Sequence, residues 1–234
     1  MIILALSCPA KGASAAVLRD EEVLAAFSAG DAMTGSETLL PMAEAALRSA
    51  GVKMNDVELF AVTAGPGSFT GVRIGVALVK GLAFGRGKIC CGVSALESLA
   101  ENVVPLPGLV CPVMDARRNE VYTALFDSRG GALTRLLPDS ALPASELAAT
   151  VARDYPGREV ILVGDGVAVA EPVFRAAGIK LFPIPDVLLP HSAVSCGRAA
   201  LRAARAGLTV DGEELAPIYL RESQAETTRR FGGK

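Results

Sequence analysis

The segment 57–87, VELFAVTAGPGSFTGVRIGVALVKGLAFGRG, allows fewer arrangements than any other part of this chain. Residues 59–64 form an unbroken apolar run, which suits a strand covered on both faces. Gly65, Pro66, Gly67 and Ser68 end that strand, because glycine reaches backbone angles other residues avoid and proline cannot extend a ladder. The pattern predicts a helix over 70–85. At about 100° per residue, Gly71, Gly75, Gly81 and Gly85 share one stripe, roughly 120° wide, with Ile74, Leu78 and Leu82. On the other side only Arg73 and Lys80 are polar. A helix apolar nearly all round is expected to be buried nearly all round. Glycine costs a helix interior about 1 kcal/mol relative to alanine, so four on one stripe need a structural reason. Two readings stand. Another backbone approaches the stripe closely, or the turn before the helix holds an anion on its free N–H groups.

At 234 residues the chain is long enough for one large or two smaller α/β units. Its hydrophobic content of 51% and mean hydropathy of +0.41 are high, which points to a protein partner. Arg73, Lys80 and Arg86 interrupt the best apolar stretch, so no run reaches the ~18 residues of a membrane span. A net charge of −2 and a pI near 5.6 give no electrostatic footprint for binding nucleic acid unaided. MIILALS lacks a preceding basic region and does not read as a signal peptide. The five cysteines show no CxxC spacing, and reduced thiols in a cytoplasmic protein are the economical expectation.

Strands are expected at 2–6, 13–18 and 23–27, then a helix from 34–36 to about 51 with Ser36 as N-cap and a later start or a kink at Pro41. After 57–87 come a strand at 88–91 and a helix at 94–102, with Ser94 and Glu97 in capping-box spacing. Pro105, Pro107 and Gly108 make the clearest break. Beyond it the order repeats, with strands at 109–114, 121–126, 132–137, 159–163 and 180–182 and helices at 143–153, 167–177 and 192–206. Each half thus reads β-β-β-α-β-α-β-α, a duplication of pattern without matching residues. The fold class is α/β, with two lobes side by side, each a mixed sheet flanked by helices. The lobes are expected at 1–104 and 105–221. The last helix is free to pack back on the first lobe, and 222–234 is expected to be a mobile tail.

The usual catalytic constellations fit poorly. GPGSFTG has neither the spacing nor the lysine of a Walker A loop, and Thr70 stands where a dinucleotide fingerprint needs its third glycine. As an anion or nucleotide site it would use Gly65, Gly67, Ser68 and Thr70. A ligand-free strand–helix turn is the equal alternative. Phosphotransfer between two such lobes needs a carboxylate at the end of the first strand to hold Mg²⁺, and Ser7 stands there. Asp115 occupies the matching place in the second half, where it equally starts a turn through Arg117, Arg118 and Asn119. Asp165 in GDG faces a cleft or a turn. One histidine, His191, excludes a His-x-x-x-His metal pair, and its place before Ser192 suits the start of a helix better than a Ser-His-Asp triad.

GPGSFTGVRIG at 65–75 is the most specific stretch, and with SETLLP (36–41), GVSALESLA (92–100), MDARRNEVY (114–122) and PIYLR (217–221) it resembles the TsaB (YeaZ) family. The likeness runs from Ile2 to about Arg221. It implies a two-lobed actin/Hsp70-like fold, a duplicated ribonuclease H-like unit, in a non-catalytic dimerisation or scaffold subunit. The complex it implies transfers a threonylcarbamoyl group to the adenosine beside the anticodon of tRNA. Its partners would be a TsaD-type catalytic subunit and, through the complex, a TsaE-type ATPase. tRNA would be met indirectly, and a homodimer would form in the partner's absence. No cofactor, metal or membrane is implied, with ATP or ADP contact only at the glycine turn. The resemblance places the interface on the helices at 36–50 and 70–85, through Leu39, Leu40, Ala43, Leu47, Gly71, Ile74, Gly75, Leu78, Gly81, Leu82 and Gly85. Two departures, Ser7-Cys8-Pro9 for the family's Asp-Thr-Ser and Gly35 for its usual histidine, remove ligand chemistry and favour the scaffold role. The competing expectation is an independent enzyme of the same fold, an ATP-dependent phosphotransferase or a glycoprotease-like peptidase.

Overall fold

The computed structural model describes residues 1–30 and 35–221, apart from the Ser36 side chain; the Ser36 cap and the expected tail lie outside the described residues. The chain opens with the meander β1 (Ile2–Ser7), β2 (Ala13–Arg19) and β3 (Glu22–Ala29), followed by α1 (Gly35–Ala50). Strand β4 (Leu59–Gly65) is buried along its whole length, as its apolar run requires. Then come α2 (Phe69–Ala83), β5 (Ile89–Ser94) and α3 (Ala95–Glu101). The second half begins with β6 (Leu109–Asp115), β7 (Glu120–Asp127) and β8 (Thr134–Pro143). It continues through α4 (Ala144–Asp154), β9 (Val160–Val163), α5 (Val167–Ala176), α6 (Ala193–Arg205) and β10 (Val210–Asp211).

Two mixed sheets result, in the orders β10-β5-β4-β1-β2-β3 and β8-β7-β6-β9. In the first, β1 runs parallel to β4 with Leu4 opposite Phe60, and antiparallel to β2 with Leu4 opposite Val17. In the second, β6 pairs with β7 antiparallel and with β9 parallel. Helices α1 and α2 cover one face of the first sheet around Leu39, Phe60, Val72 and Val79. Helix α6 covers the other face, where Cys196 and Leu201 meet Ile3, Leu18 and Leu59. Gly197 lets α6 come this close, since a Cβ there would lie 2.6 Å from a Leu18 methyl. On the second sheet α4 and α5 bury one face around Phe174, while α3 fills the other around Phe126.

The chain therefore crosses back. Residues after 192 pack on the first lobe, and β10 extends the first sheet beside β5, so the second lobe is smaller than 105–221. The strand expected at 180–182 reduces to a single bridge between Leu181 and Val160. Pro41 sits inside α1, whose helix starts before it rather than after it, and removes one helical hydrogen bond. Ser94 caps α3, accepting from the N–H groups of Leu96 (3.2 Å) and Glu97 (3.3 Å). The Glu97 carboxylate does not reach back as a capping box would; it pairs with Arg135 of β8 and Arg202 of α6. That chain of charges, with Asp139 beyond Arg135 and Glu101 beyond Arg202, joins the lobes. Among the described residues no helix is long and apolar enough to cross a membrane.

Candidate partner-docking face

Helix α2 begins where the glycine turn is clamped from two sides. Ser68 donates its N–H to the Pro9 carbonyl at 2.6 Å, and its side chain accepts from Gly71 N–H at 3.3 Å. A Cβ at Gly67 would run into the Pro9 carbonyl oxygen, and one at Gly71 into that of Cys8. The Gly65–Pro66 bond is cis, and a Cβ on Gly65 would collide with the Ile218 carbonyl oxygen. From that side the segment 213–221 lies along the helix as a strap. Ile218 N–H donates to Ala64 O at 2.6 Å, and the Lys80 ammonium donates to the carbonyls of Glu213 (2.8 Å) and Leu215 (3.0 Å). Tyr219 stacks on Phe69 with centroids 4.5 Å apart, and Arg73 lies 4.4 Å over Phe69 while donating to the Tyr219 hydroxyl.

The geometry gives these glycines a reason within the fold: the close approaches at Gly65, Gly67 and Gly71 are made by the chain's own β1–β2 turn and strap. Neither Gly65, Gly67, Ser68, Thr70 nor Asp115 lines the interlobe cleft. Asp115 ends β6, where its Oδ1 accepts Arg117 N–H at 2.7 Å and so starts the turn.

The buried side of α2 is Val72, Gly75, Val76, Val79 and Ala83. Its centre lies roughly 100° round the helix from that of the glycine stripe. Gly75 belongs to the core, where a Cβ would lie 3.0 Å from Val62. Ile74, Leu78 and Leu82 are only half-buried, at the margin of the core formed with α1, and Ala77 and Gly81 are exposed. Nothing among the described residues comes near a Cβ placed at Gly81 or Gly85, and Gly85 lies in the turn past the helix. On α1 the expected contact residues divide. Leu39 and Ala43 are fully buried and Leu47 nearly so, because α1 turns them onto the first sheet; these three and Gly75 are withdrawn from the contact face. Leu40, 38% exposed, stays on it, together with Pro41, Met42 and Ala45. Sequence reasoning missed Phe84, 76% exposed at the helix end, although a large apolar residue beside Gly85 and Gly87 was a visible signal. It also missed the strap, which no local pattern announces. The outcome is a half-buried apolar strip on α2 with Leu40 exposed on α1 next to Glu37 and Glu44, open on one side among the described residues.

The other concavity is a cleft of about 990 Å³ between the lobes, lined by Ser7, Lys11, Asn102, Asp165, His191 and Arg198 among others. Asp165 accepts Asp115 N–H at 3.3 Å, and burial raises its carboxyl pKa. His191 precedes the Ser192 cap of α6; both ring nitrogens are buried without a hydrogen-bond partner among the described residues, and burial pushes the imidazole down to about 3. Such a ring neither orients nor activates a hydroxyl as a triad base must. Burial likewise raises the thiols of Cys8, Cys90 and Cys91 to about 11. Among the described residues no group of His, Cys, Asp and Glu gathers to hold a metal ion.

Comparison with known proteins gives the family and the fold. A family model described as TsaD, tRNA N6-adenosine threonylcarbamoyltransferase, matches residues 32–229. The tRNA threonylcarbamoyladenosine biosynthesis protein TsaB of Bacillus subtilis is 32% identical over 97% of this chain and 96% of its own. A Pseudomonas aeruginosa crystal structure, described as an uncharacterized protein with similarity to peptidase YeaZ, superposes with a TM-score of 0.80 at 29% identity, covering 94% of this chain and 99% of that one. The ROK hexokinase of Thermus thermophilus, with a TM-score of 0.51 at 14% identity over 88% of this chain and 100% of its own, shares the fold alone.

Proposed function

The chain belongs to the TsaB (YeaZ) family of tRNA threonylcarbamoyladenosine biosynthesis, and on that premise we propose that it is a non-catalytic supporting subunit. In this reading it holds a TsaD-type catalytic subunit while that partner transfers the threonylcarbamoyl group to the adenosine beside the anticodon. A TsaE-type ATPase joins through the complex, tRNA is met indirectly, and the isolated chain self-associates by the same face in the cytoplasm. The observation that carries the proposal is the half-buried apolar strip of Ile74, Leu78 and Leu82 on α2, with Leu40 of α1 exposed, which stays open to one side among the described residues. Helical ridges of this kind bury their apolar stripe against matching helices. Ser7 in place of a metal-holding carboxylate supports the absence of catalysis.

The test is a pull-down and mass measurement with the TsaD-type partner. Gly81→Glu places a charge in the proposed contact at an exposed position where no described residue comes near the Cβ, and it should weaken association at least tenfold while leaving the melting temperature within a few degrees. Unchanged association would remove the ridge from the interface. The cleft supports a second reading, an enzyme acting on a small ligand between the lobes. Calorimetry with Mg-ATP on the isolated chain separates the two, because tight binding with turnover there would favour the enzyme.

A further inference from the structure

The hairpin turn between β6 and β7 is built from residues that its backbone does not favour. Arg117, Arg118 and Asn119 have φ of 64°, 56° and 61°, a run of three left-handed positions. Asparagine tolerates that conformation and arginine gains nothing from it, so two successive arginines there are strained. All three residues are exposed. Among the described residues neither guanidinium has an ion-pair or hydrogen-bond partner. Nothing within the fold accounts for their charge.

The turn is nevertheless held rigidly. Arg117 N–H is taken by Asp115 Oδ1 at 2.7 Å, Glu120 N–H by Arg117 O at 3.1 Å, and Asn119 O accepts Ala144 N–H at 3.2 Å from the start of α4. From the strap, Arg221 donates to Ala116 O at 3.2 Å, pairs with Glu120 and lies 5.8 Å over Tyr122. Two residues earlier in the strap, Tyr219 is 43% exposed and stacks on Phe69 beneath Arg73. One edge of the molecule thus carries two guanidinia without a partner among the described residues, joined through Arg221 to the strap that bears the half-open aromatic and arginine stack. Of the carboxylates in this turn, Glu120 is paired with Arg221, and Asp115 accepts Arg117 N–H.

We propose that this edge holds the sugar–phosphate backbone of RNA, with Arg117 and Arg118 gripping phosphates. The inference rests on the reading that the chain supports a transferase partner acting on tRNA, and it replaces the indirect contact of that reading with a direct one. Phosphate fits because a guanidinium presents a planar fork that matches two phosphate oxygens. The exposed ring of Tyr219 suits an unpaired base, as in recognition of single-stranded RNA. Presenting the arginines from a rigid turn lowers the ordering cost of binding.

The test uses the Arg117→Asn/Arg118→Asn double variant, since asparagine accepts the left-handed backbone and spares the fold. An unmodified tRNA transcript is titrated, over a range of salt, against the complex of this chain with its TsaD-type partner and against the chain alone at low salt. The expected result is a melting temperature equal to or above the original, unchanged association with the partner, and a tRNA Kd raised at least tenfold. The slope of log affinity on log salt should become shallower by roughly one to two, the number of phosphates released. An Arg117→Lys/Arg118→Lys variant should restore most of the slope and only part of the affinity. A tRNA affinity and slope within twofold of the original would overturn the proposal. So would loss of partner association in the asparagine variant, which would assign the arginines to an acidic protein surface. If the original chain does not assemble with the partner, the supporting-subunit reading fails instead, and the low-salt titration of the chain alone still decides the edge.

Discussion

Gly71 and Gly81 are ten positions apart on one helix and should respond oppositely to alanine. A Cβ at Gly71 meets the Cys8 carbonyl oxygen, which β1 and the turn hold in place, so the helix must move. Gly71→Ala is expected to cost about 1–3 kcal/mol, as overpacking of a filled site does. Gly81 is exposed within α2 with nothing near its Cβ, so Gly81→Ala should gain about 0.5–1 kcal/mol through helix propensity alone. Urea unfolding of the two variants checks both signs at once. Equal effects would mean that the turn is not clamped by the strand it touches. Cys8 belongs to the same contact, because its buried thiol donates to the Gly71 carbonyl at 3.1 Å. Its work is packing, and burial keeps it protonated.

Helix α2 and the strap stand or fall together. Among the described residues the helix stays open on its outer face; Ile218 holds the end of β4 before it, and the Tyr219–Phe69 stack and the bond from Arg73 to the Tyr219 hydroxyl at 2.8 Å hold its first turns. Tyr219→Ala removes the stack and the hydrogen bond and should cost about 1–2 kcal/mol, given partial exposure. Hydrogen exchange reads the effect locally. Amides at 67–72 should lose protection while those of β6 and β7 keep theirs, whereas a uniform change across the chain would show that the strap has no special tie to α2. The strap also carries Arg221 to the second lobe, so it spans from the proposed docking helix to the proposed RNA edge.

At the scale of the whole molecule, the lobes are joined through α3, α6 and the loop that carries His191 into the cleft wall. The imidazole falls from an ordinary 6.5 to about 3 on burial, so the unfolded chain binds a proton that the folded chain refuses. Stability is unaffected by this group above about pH 6.5 and declines as the pH drops towards 3. Between pH 6.5 and 5 the loss is about 2 kcal/mol, since one unit of pKa difference is worth about 1.4 kcal/mol. His191→Leu removes the titration and both unpartnered nitrogens. Its stability should be flatter over that interval in urea unfolding at stepped pH, and a slope identical to the original would mean that the ring is not buried in solution.

Most elements and their order were legible in the residues, the strand expected at 180–182 being the exception. The continuous apolar run at 59–64 is a covered strand, the capping serine Ser94 sits where its helix starts, and three strands before an alternation give a mixed sheet. The sequence also carried the family, in GPGSFTGVRIG. Tertiary structure alone decided which way α2 faces. A helix apolar on nearly every side has no phase to read, so only the position of β4 and β1 shows that Val72, Val76 and Val79 point inward while Leu78 and Leu82 do not. Leu39, Ala43 and Leu47 were misplaced for the same reason, since an apolar stripe looks alike whether the chain or a partner covers it. The closing of the glycine turn and the return of α6 to the first lobe depend on contacts more than a hundred residues apart, between Gly65 and Ile218 and between Leu18 and Gly197. No local periodicity encodes such pairings; close packing of the assembled chain selects them.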